Sequence, residues 1–427
     1  MRNFWAAAAL FAGLPTLWAL EGKLFFTLAP NITDEFCHIM PYRFPFIPTV
    51  GRCVRKQQVT LVMLLANPAA DKDGKVLVEA ERAWNIEPDG RVKELVEPGR
   101  PVPVLQGVKK GAQDFSGVML SGFRVILRVE EGVPLGKMRI NIRLRDRGDD
   151  SVLELSEEIE AAENLRGASE PPMSFVEMSD FLGNYYRKPE PEKIPAAFAA
   201  FLKFDEENVG QKKNYDPLMW LCGFAELYKL NPHLRPALVS GAAAYSVIHK
   251  QYAALILADA EVDESELEDS DPELRRMFDK IKGKSLLRFG EITNQAQLDA
   301  LWMSFFTTGK FEPIRRLVHE LRKRGDEPTA EAGPGLDRNP AAEKSRETMI
   351  GRAALCSLAS NACRHKLVGY YLESILMRRE QTEMGVMAKL GGILVNAGLL
   401  SETKNPDGKS VLRPVLSVTE EAKTKKP

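Results

Sequence analysis

The hydrophobic period of this 427-residue chain changes once along its length. Up to about residue 162 apolar positions recur every second residue, and from Ile194 onward they recur at helical spacing. Met138, Ile140, Ile142 and Leu144 alternate strictly with Arg139, Asn141, Arg143 and Arg145. That pattern predicts a strand with one buried face. Phe123, Val125, Leu127 and Val129 alternate less cleanly with Arg124, Ile126, Arg128 and Glu130. Further strands are predicted at 58–65, 76–86 and 152–161, separated by turn formers at 71–74 and 88–90. Short strands with turn signals across residues 22–162 predict an Ig-like β-sandwich.

From 195 to 400 the chain predicts an α-helical domain. Helices are expected at 195–204, 217–230, 234–258, 272–282, 295–307, 312–324, 341–362 and 366–396, the last interrupted. Pro195, Pro217, Pro272 and Pro313 stand near helix starts, where a missing N–H costs little. The stretches 220–236 and 302–317 share a rhythm: an aromatic-rich helix, a polar break and a second helix. They suggest stacked hairpins of a solenoid, with an irregular bundle as the alternative. Residues 163–194 read as a linker, because Glu170-Pro171-Pro172 and Lys188-Pro189-Glu190-Pro191-Glu192 suit neither helix nor strand. Phe175, Met178, Phe181, Leu182, Tyr185 and Tyr186 place one short helix inside it. Residues 327–346 read as a loop and 401–427 as a disordered tail.

The first 22 residues, MRNFWAAAALFAGLPTLWALEG, have the layout of a signal peptide over residues 1–19. Arg2 supplies the positive start, the run from Phe4 to Trp18 is apolar apart from Thr16, and Ala19 offers a cleavage site. The run falls short of the roughly 20 residues a membrane span needs. The expectation is a periplasmic or secreted protein, with membrane contact only through an uncleaved leader.

Val133-Pro134-Leu135-Gly136-Lys137-Met138-Arg139-Ile140, followed by Arg145-Asp146, resembles the turn and last strands of bacterial immunoglobulin-like or fibronectin-like modules. The stretches 298–321 and 353–367 are similar in texture to helical segments of uncharacterised exported bacterial proteins. The resemblance implies a sandwich followed by a helical domain and carries over no site residue.

The net charge of −1 argues against a nucleic-acid partner. Five cysteines leave at least one without an intrachain partner. A disulfide between Cys37 and Cys53 is expected in an oxidising compartment, with two separately buried thiols as the alternative. Cys356 and Cys363 share a helix face but sit ~10 Å apart at a rise of 1.5 Å per residue, too far to bridge. The five histidines form no HExxH or similar spacing, and His38 lies near Cys37 and Cys53. No metal and no cofactor is expected, and neither GxSxG nor a phosphate-binding glycine loop occurs.

The acidic stretch 261–273 carries eight carboxylates, which suit a solvated loop better than a calcium site lacking the EF-hand order. Arg315, Arg316, Arg322, Lys323 and Arg324 form a basic segment that is either an ordinary charged helix surface or a binding face for an anionic partner. The stretch 384–400 reads as a core or interface helix rather than a membrane segment. Trp220, Phe224 and Tyr228 keep the spacing of a core-facing stripe.

These features together suggest an exported, non-catalytic binding protein whose partner is a protein or an envelope polymer. Two alternatives stand beside it. One is a glycan- or peptide-active hydrolase with carboxylates that meet in the helical domain. The other is a periplasmic chaperone or assembly factor with an exposed sheet edge or apolar groove.

Overall fold

Alternation along residues 136–146 produces the central strand of the larger of two sheets, with Met138, Ile140, Ile142 and Leu144 buried and Lys137, Arg139 and Arg143 exposed. The coordinates are a computed structural model. It describes residues 20–29, 32–40, 43, 47–108, 118–129, 134–163, 172–208, 216–283, 286, 290–323, 340–381, 383–405 and 407–415. At 33, 108, 118–123, 323 and 340–346 the backbone alone is described. The signal peptide expected at 1–19, residues 327–339 of the loop expected over 327–346, and the tail beyond 415 lie outside these residues, while 340–346 of that loop are helical.

The N-terminal half is built of β-sheets and the C-terminal half of helices. The strands of the first half are β1 (Glu21–Thr27), β2 (Arg52–Val54), β3 (Gln58–Ala66), β4 (Lys75–Ile86), β5 (Val92–Val96), β6 (Val102–Val108), β7 (Val118–Arg128), β8 (Gly136–Asp146) and β9 (Val152–Ala162). A short helix, α1 (Ile32–Phe36), follows β1. The small sheet runs β1-β3-β7, all antiparallel. The large one runs β2-β9-β8-β4, where β2 pairs parallel with β9. The free edge of β4 takes β6 along its first half and β5 along its second.

The two sheets share one core. Leu24 and Phe26 of β1 and Leu61, Met63 and Leu65 of β3 meet Val78 and Ala80 of β4, Ile140 and Ile142 of β8 and Ile159 of β9. The opposite face of the small sheet is also covered, by Ile47, Ile32 and Phe36 over Val62, Leu64 and Phe25. Hence β3 reads as an apolar run without alternation.

Asp146, from the segment with the module resemblance, is buried and closes a turn. Its Oδ2 accepts the Ala69 amide at 2.6 Å and its Oδ1 the Gly148 amide at 2.9 Å. A Cβ on Gly148 would come 2.5 Å from the Ala69 carbonyl oxygen, so that backbone approach requires glycine. Asp146→Ala is expected to lower the stability of this unit by about 1–3 kcal/mol, because it strands buried N–H donors. Urea unfolding measures it, and a loss below about 0.5 kcal/mol would mean that water replaces the carboxylate.

The helical half contains α2 (Phe175–Asn184), α3 (Ile194–Asn208), α4 (Leu218–Leu230), α5 (Arg235–Gly241), α6 (Val247–Asp259), α7 (Pro272–Ile281), α8 (Gln295–Thr308), α9 (Phe311–His319), α10 (Pro340–Arg364), α11 (Lys366–Met377) and α12 (Met384–Asn396). The single helix expected over 234–258 is two, because Ser246 turns extended and caps α6 by accepting the His249 amide. The short helix expected in the linker is α2, opened by a Ser174/Glu177 capping box. Its Met178 and Leu182 belong to the helical core, so it is part of that unit rather than a spacer. Helix α4 crosses α8 closely enough that a Cβ on Gly223 would meet Met303 at 2.6 Å.

Residues 401–414, expected within a disordered tail, carry regular structure instead. β10 (Leu400–Lys404) and β11 (Ser410–Pro414) form a hairpin, and Leu412 reaches Gly391 of α12. The turn at Gly408, with φ of 76°, allows it. No helix among the described residues is long and apolar enough to cross a membrane.

Candidate functional site

The outer face of the large sheet carries ordered rows of charge. Outward positions of β8 are basic (Lys137, Arg139, Arg143, Arg145) and those of β9 acidic (Glu154, Glu158, Glu160). Antiparallel register sets Arg139 opposite Glu158 and Arg143 opposite Glu154. Arg139 Nε donates to Glu158 at 2.8 Å, and Arg143 lies 3.7 Å from Glu154 and 3.5 Å from Glu81. Arg145 pairs with Glu81, Arg82 with Glu94 at 2.5 Å, and Arg52 with Glu160 at 2.7 Å. Each exposed pair contributes little stability, about 0–1 kcal/mol. Their consequence is that the face carries dense charge with little net field.

Between two ion-pair rows runs a neutral one. Trp84 of β4 stands opposite Asn141 of β8, which stands opposite Ser156 of β9. The Arg82 guanidinium lies 4.4 Å from the Trp84 ring centre. The Asn141 amide nitrogen is covered and has no hydrogen-bond partner. A covered, unpaired donor costs about 1–3 kcal/mol. This row spans about 10 Å at the interstrand spacing of 4.7–4.9 Å.

Trp84 was not among the residues expected to matter. Counting by twos along β4 from Val76, Val78 and Ala80 puts Trp84 on the buried face. A bulge between Ala80 and Arg82 advances the phase by one residue, so Ala83 and Asn85 are buried and Trp84 turns outward. The adjacent charges Glu81-Arg82 are the one sequence signal of that shift.

In the helical unit several buried polar groups are engaged with each other. His249 Nε2 lies 3.2 Å from Asp205 Oδ2 and its Nδ1 3.5 Å from Glu206, joining α6 to α3. Glu226 of α4 accepts from the Ser304 hydroxyl at 3.0 Å and from Lys310 Nζ at 3.1 Å. Arg187 donates to the Tyr186 hydroxyl at 3.1 Å, and that hydroxyl lies 3.0 Å from His365 Nδ1. Burial, with Arg187 and Arg364 adding to it, pushes the His365 pKa down to about 4. His233 is also pushed down to about 4 by burial, and neither of its ring nitrogens has a partner.

The disulfide expected between Cys37 and Cys53 is not formed, and both thiols are free. Cys53 points into the β core from β2, and burial pushes its thiol up to about 11. Cys37 is exposed just after α1, its sulfur 2.7 Å from the Asp34 carbonyl.

The basic segment does not present one uniform face. Arg315 is held by Glu312 one turn back, and Arg322 binds Gln381 at 2.6 Å and Glu383 at 3.2 Å. Arg316 is partly buried, while the Lys323 side chain and Arg324 lie outside the described residues.

The acidic stretch is spent on separate cations and caps. Glu261 pairs with Lys229, Glu264 with Lys282, Glu266 with Arg235, and Asp271 with Lys250 while capping α7. Among the described residues no group of three or more His, Cys, Asp or Glu is placed to hold a metal.

No family model matches this chain, and no curated protein matches it. Among solved structures, it is similar to a family 123 glycoside hydrolase from Clostridium perfringens, described for glycolipid glycan hydrolysis. The identity is 10%, the match covers 45% of this chain and 36% of that one, and the TM-score is 0.20. The chain thus matches little more than a third of that protein's length, and the likeness carries no argument about fold or function.

Proposed function

We propose that this chain is an exported, non-catalytic binding protein whose β unit, read as an Ig-like sandwich, engages an uncharged glycan of the cell envelope. The observation that supports it is the neutral row Trp84–Asn141–Ser156, flanked by charges that neutralise each other. A face of paired charges attracts neither polyanions nor polycations strongly. The neutral row offers an aromatic ring, faced on one side by the Arg82 guanidinium, and polar side groups, which suits a polyhydroxylated neutral chain.

The test is glycan binding by the chain from residue 20 onward, measured by calorimetry against neutral envelope polysaccharide fragments. Trp84→Ala is expected to weaken binding tenfold or more, a loss of about 1.4 kcal/mol, while leaving thermal unfolding within about 1 °C. Equal binding by the variant, or none by the parent chain at millimolar glycan, overturns the reading. Cell fractionation tests export separately.

A further inference from the structure

All five thiols of the chain are free, and two of them share one exposed helix face. Cys356 and Cys363 lie seven residues apart on α10, both exposed. Seven residues are nearly two helical turns, so the sulfurs lie on one line with their Cα atoms ~10 Å apart. A disulfide requires Cα atoms within about 7 Å, so the two cannot bridge each other on an intact helix. Cys222 of the same unit and Cys53 of the β unit are both buried and offer no accessible sulfur. A disulfide of either of these thiols therefore needs a sulfur from outside its own helix.

The same line continues to Met349, one heptad earlier and 67% exposed. Met349, Cys356 and Cys363 thus repeat at seven residues, the period of a helix–helix seam. A second copy of α10 supplies a partner with matching spacing. In an antiparallel pair, which opposes the two helix dipoles, the two-fold axis falls between Ala359 and Ser360. Cys356 of each copy then stands level with Cys363 of the other. The residues at the crossing are small, so the axes can approach to about 8 Å, which brings facing Cα atoms within disulfide range.

We infer that Cys356 and Cys363 form a covalent self-association site, through which two copies of the chain are joined by intermolecular disulfides. The inference rests on the exported reading for the oxidising surroundings that would keep the bonds closed. The oxidant is a disulfide supplied by exchange. One thiolate attacks it and forms a mixed disulfide, releasing one thiol. The thiolate of the second copy then displaces the other. Each new bond takes two protons and two electrons from the pair of cysteines, and the oxidant leaves as two thiols.

The experiment starts with the reduced full chain, oxidised with glutathione disulfide and analysed by light scattering and non-reducing electrophoresis. The expected product has twice the monomer mass, returns to monomer with dithiothreitol, and yields tryptic peptides joined within the Cys356/Cys363 set. C356S/C363S should lose the dimer more than tenfold, and C37S should keep it. A monomer carrying glutathione on both cysteines overturns the inference, as does a dimer lost in C37S and kept in C356S/C363S. Because oxidation is done in vitro, the outcome does not depend on export, which fractionation decides independently.

Discussion

Phe224→Ala should destabilise the helical unit by about 3–5 kcal/mol. Phe224 is fully buried on α4, with its ring 5.1 Å from that of Phe198 in an edge-on contact and 5.7 Å from that of Phe201. Phe198 in turn meets Tyr228 at 6.3 Å and Phe201 meets Tyr252 of α6 at 5.9 Å, so three helix faces converge on one aromatic cluster. Truncation removes the transfer free energy of the ring and leaves a cavity that neighbours from α3 and α6 cannot close without leaving their own contacts. Phe224→Leu, which keeps most of the volume, should cost far less, about 1.5 kcal/mol or under. Calorimetry is the measurement. The β unit has its own core, so the loss should fall on one transition. A Phe224→Ala loss under about 2 kcal/mol would show that the cluster repacks.

The second large effect is acid sensitivity. His233 and His365 both have pKa values near 4 in the folded chain, against about 6.5 when unfolded. The direction follows from burial, which disfavours the charged ring at both sites, with Arg187 and Arg364 adding to it at His365. Arg187 can only donate to the Tyr186 oxygen, which leaves the Tyr186 hydrogen for His365 Nδ1, and an imidazolium could not accept it. A depressed histidine pKa means that the unfolded chain binds the proton first as pH falls. Stability is therefore complete above pH 6.5 and is lost progressively between about 6.5 and 4. At 1.36 kcal/mol per pH unit, each group contributes up to about 3 kcal/mol of that loss. Asp146 and Glu157 of the β unit, whose carboxyls burial pushes up, act in the opposite sense on that unit's own stability. Unfolding midpoints taken from pH 7 to 4 should fall steadily, and His233→Leu should flatten the slope by about half. An unchanged slope in that variant would mean that water already reaches the ring.

Much of the architecture was legible before any coordinates. β8 and β9 follow from alternation, because a strand with one wet face must alternate. The core stripe Trp220, Phe224 and Tyr228 is buried as its spacing requires. Reading ran out where local pattern is overruled by distant partners. The covering of both faces of the small sheet erased the period of β3. The hairpin β10–β11 has little apolar character of its own and packs against α12 through Leu412. Compartment and cysteine count favour pairing Cys37 with Cys53, but Cys53 is buried in the sheet core while Cys37 is exposed, and both thiols are free.

By itself the sequence determined the division into a strand-rich half and a helical half, because the hydrophobic period is a local property of side chains on a regular backbone. Only the tertiary structure decided which side chains form a surface. A single bulged residue in β4 turns Trp84 from the core to the outer face, and cross-strand register then sets it beside Asn141 and Ser156 from strands more than fifty residues away. Register is a relation between distant segments, so no window of sequence contains it.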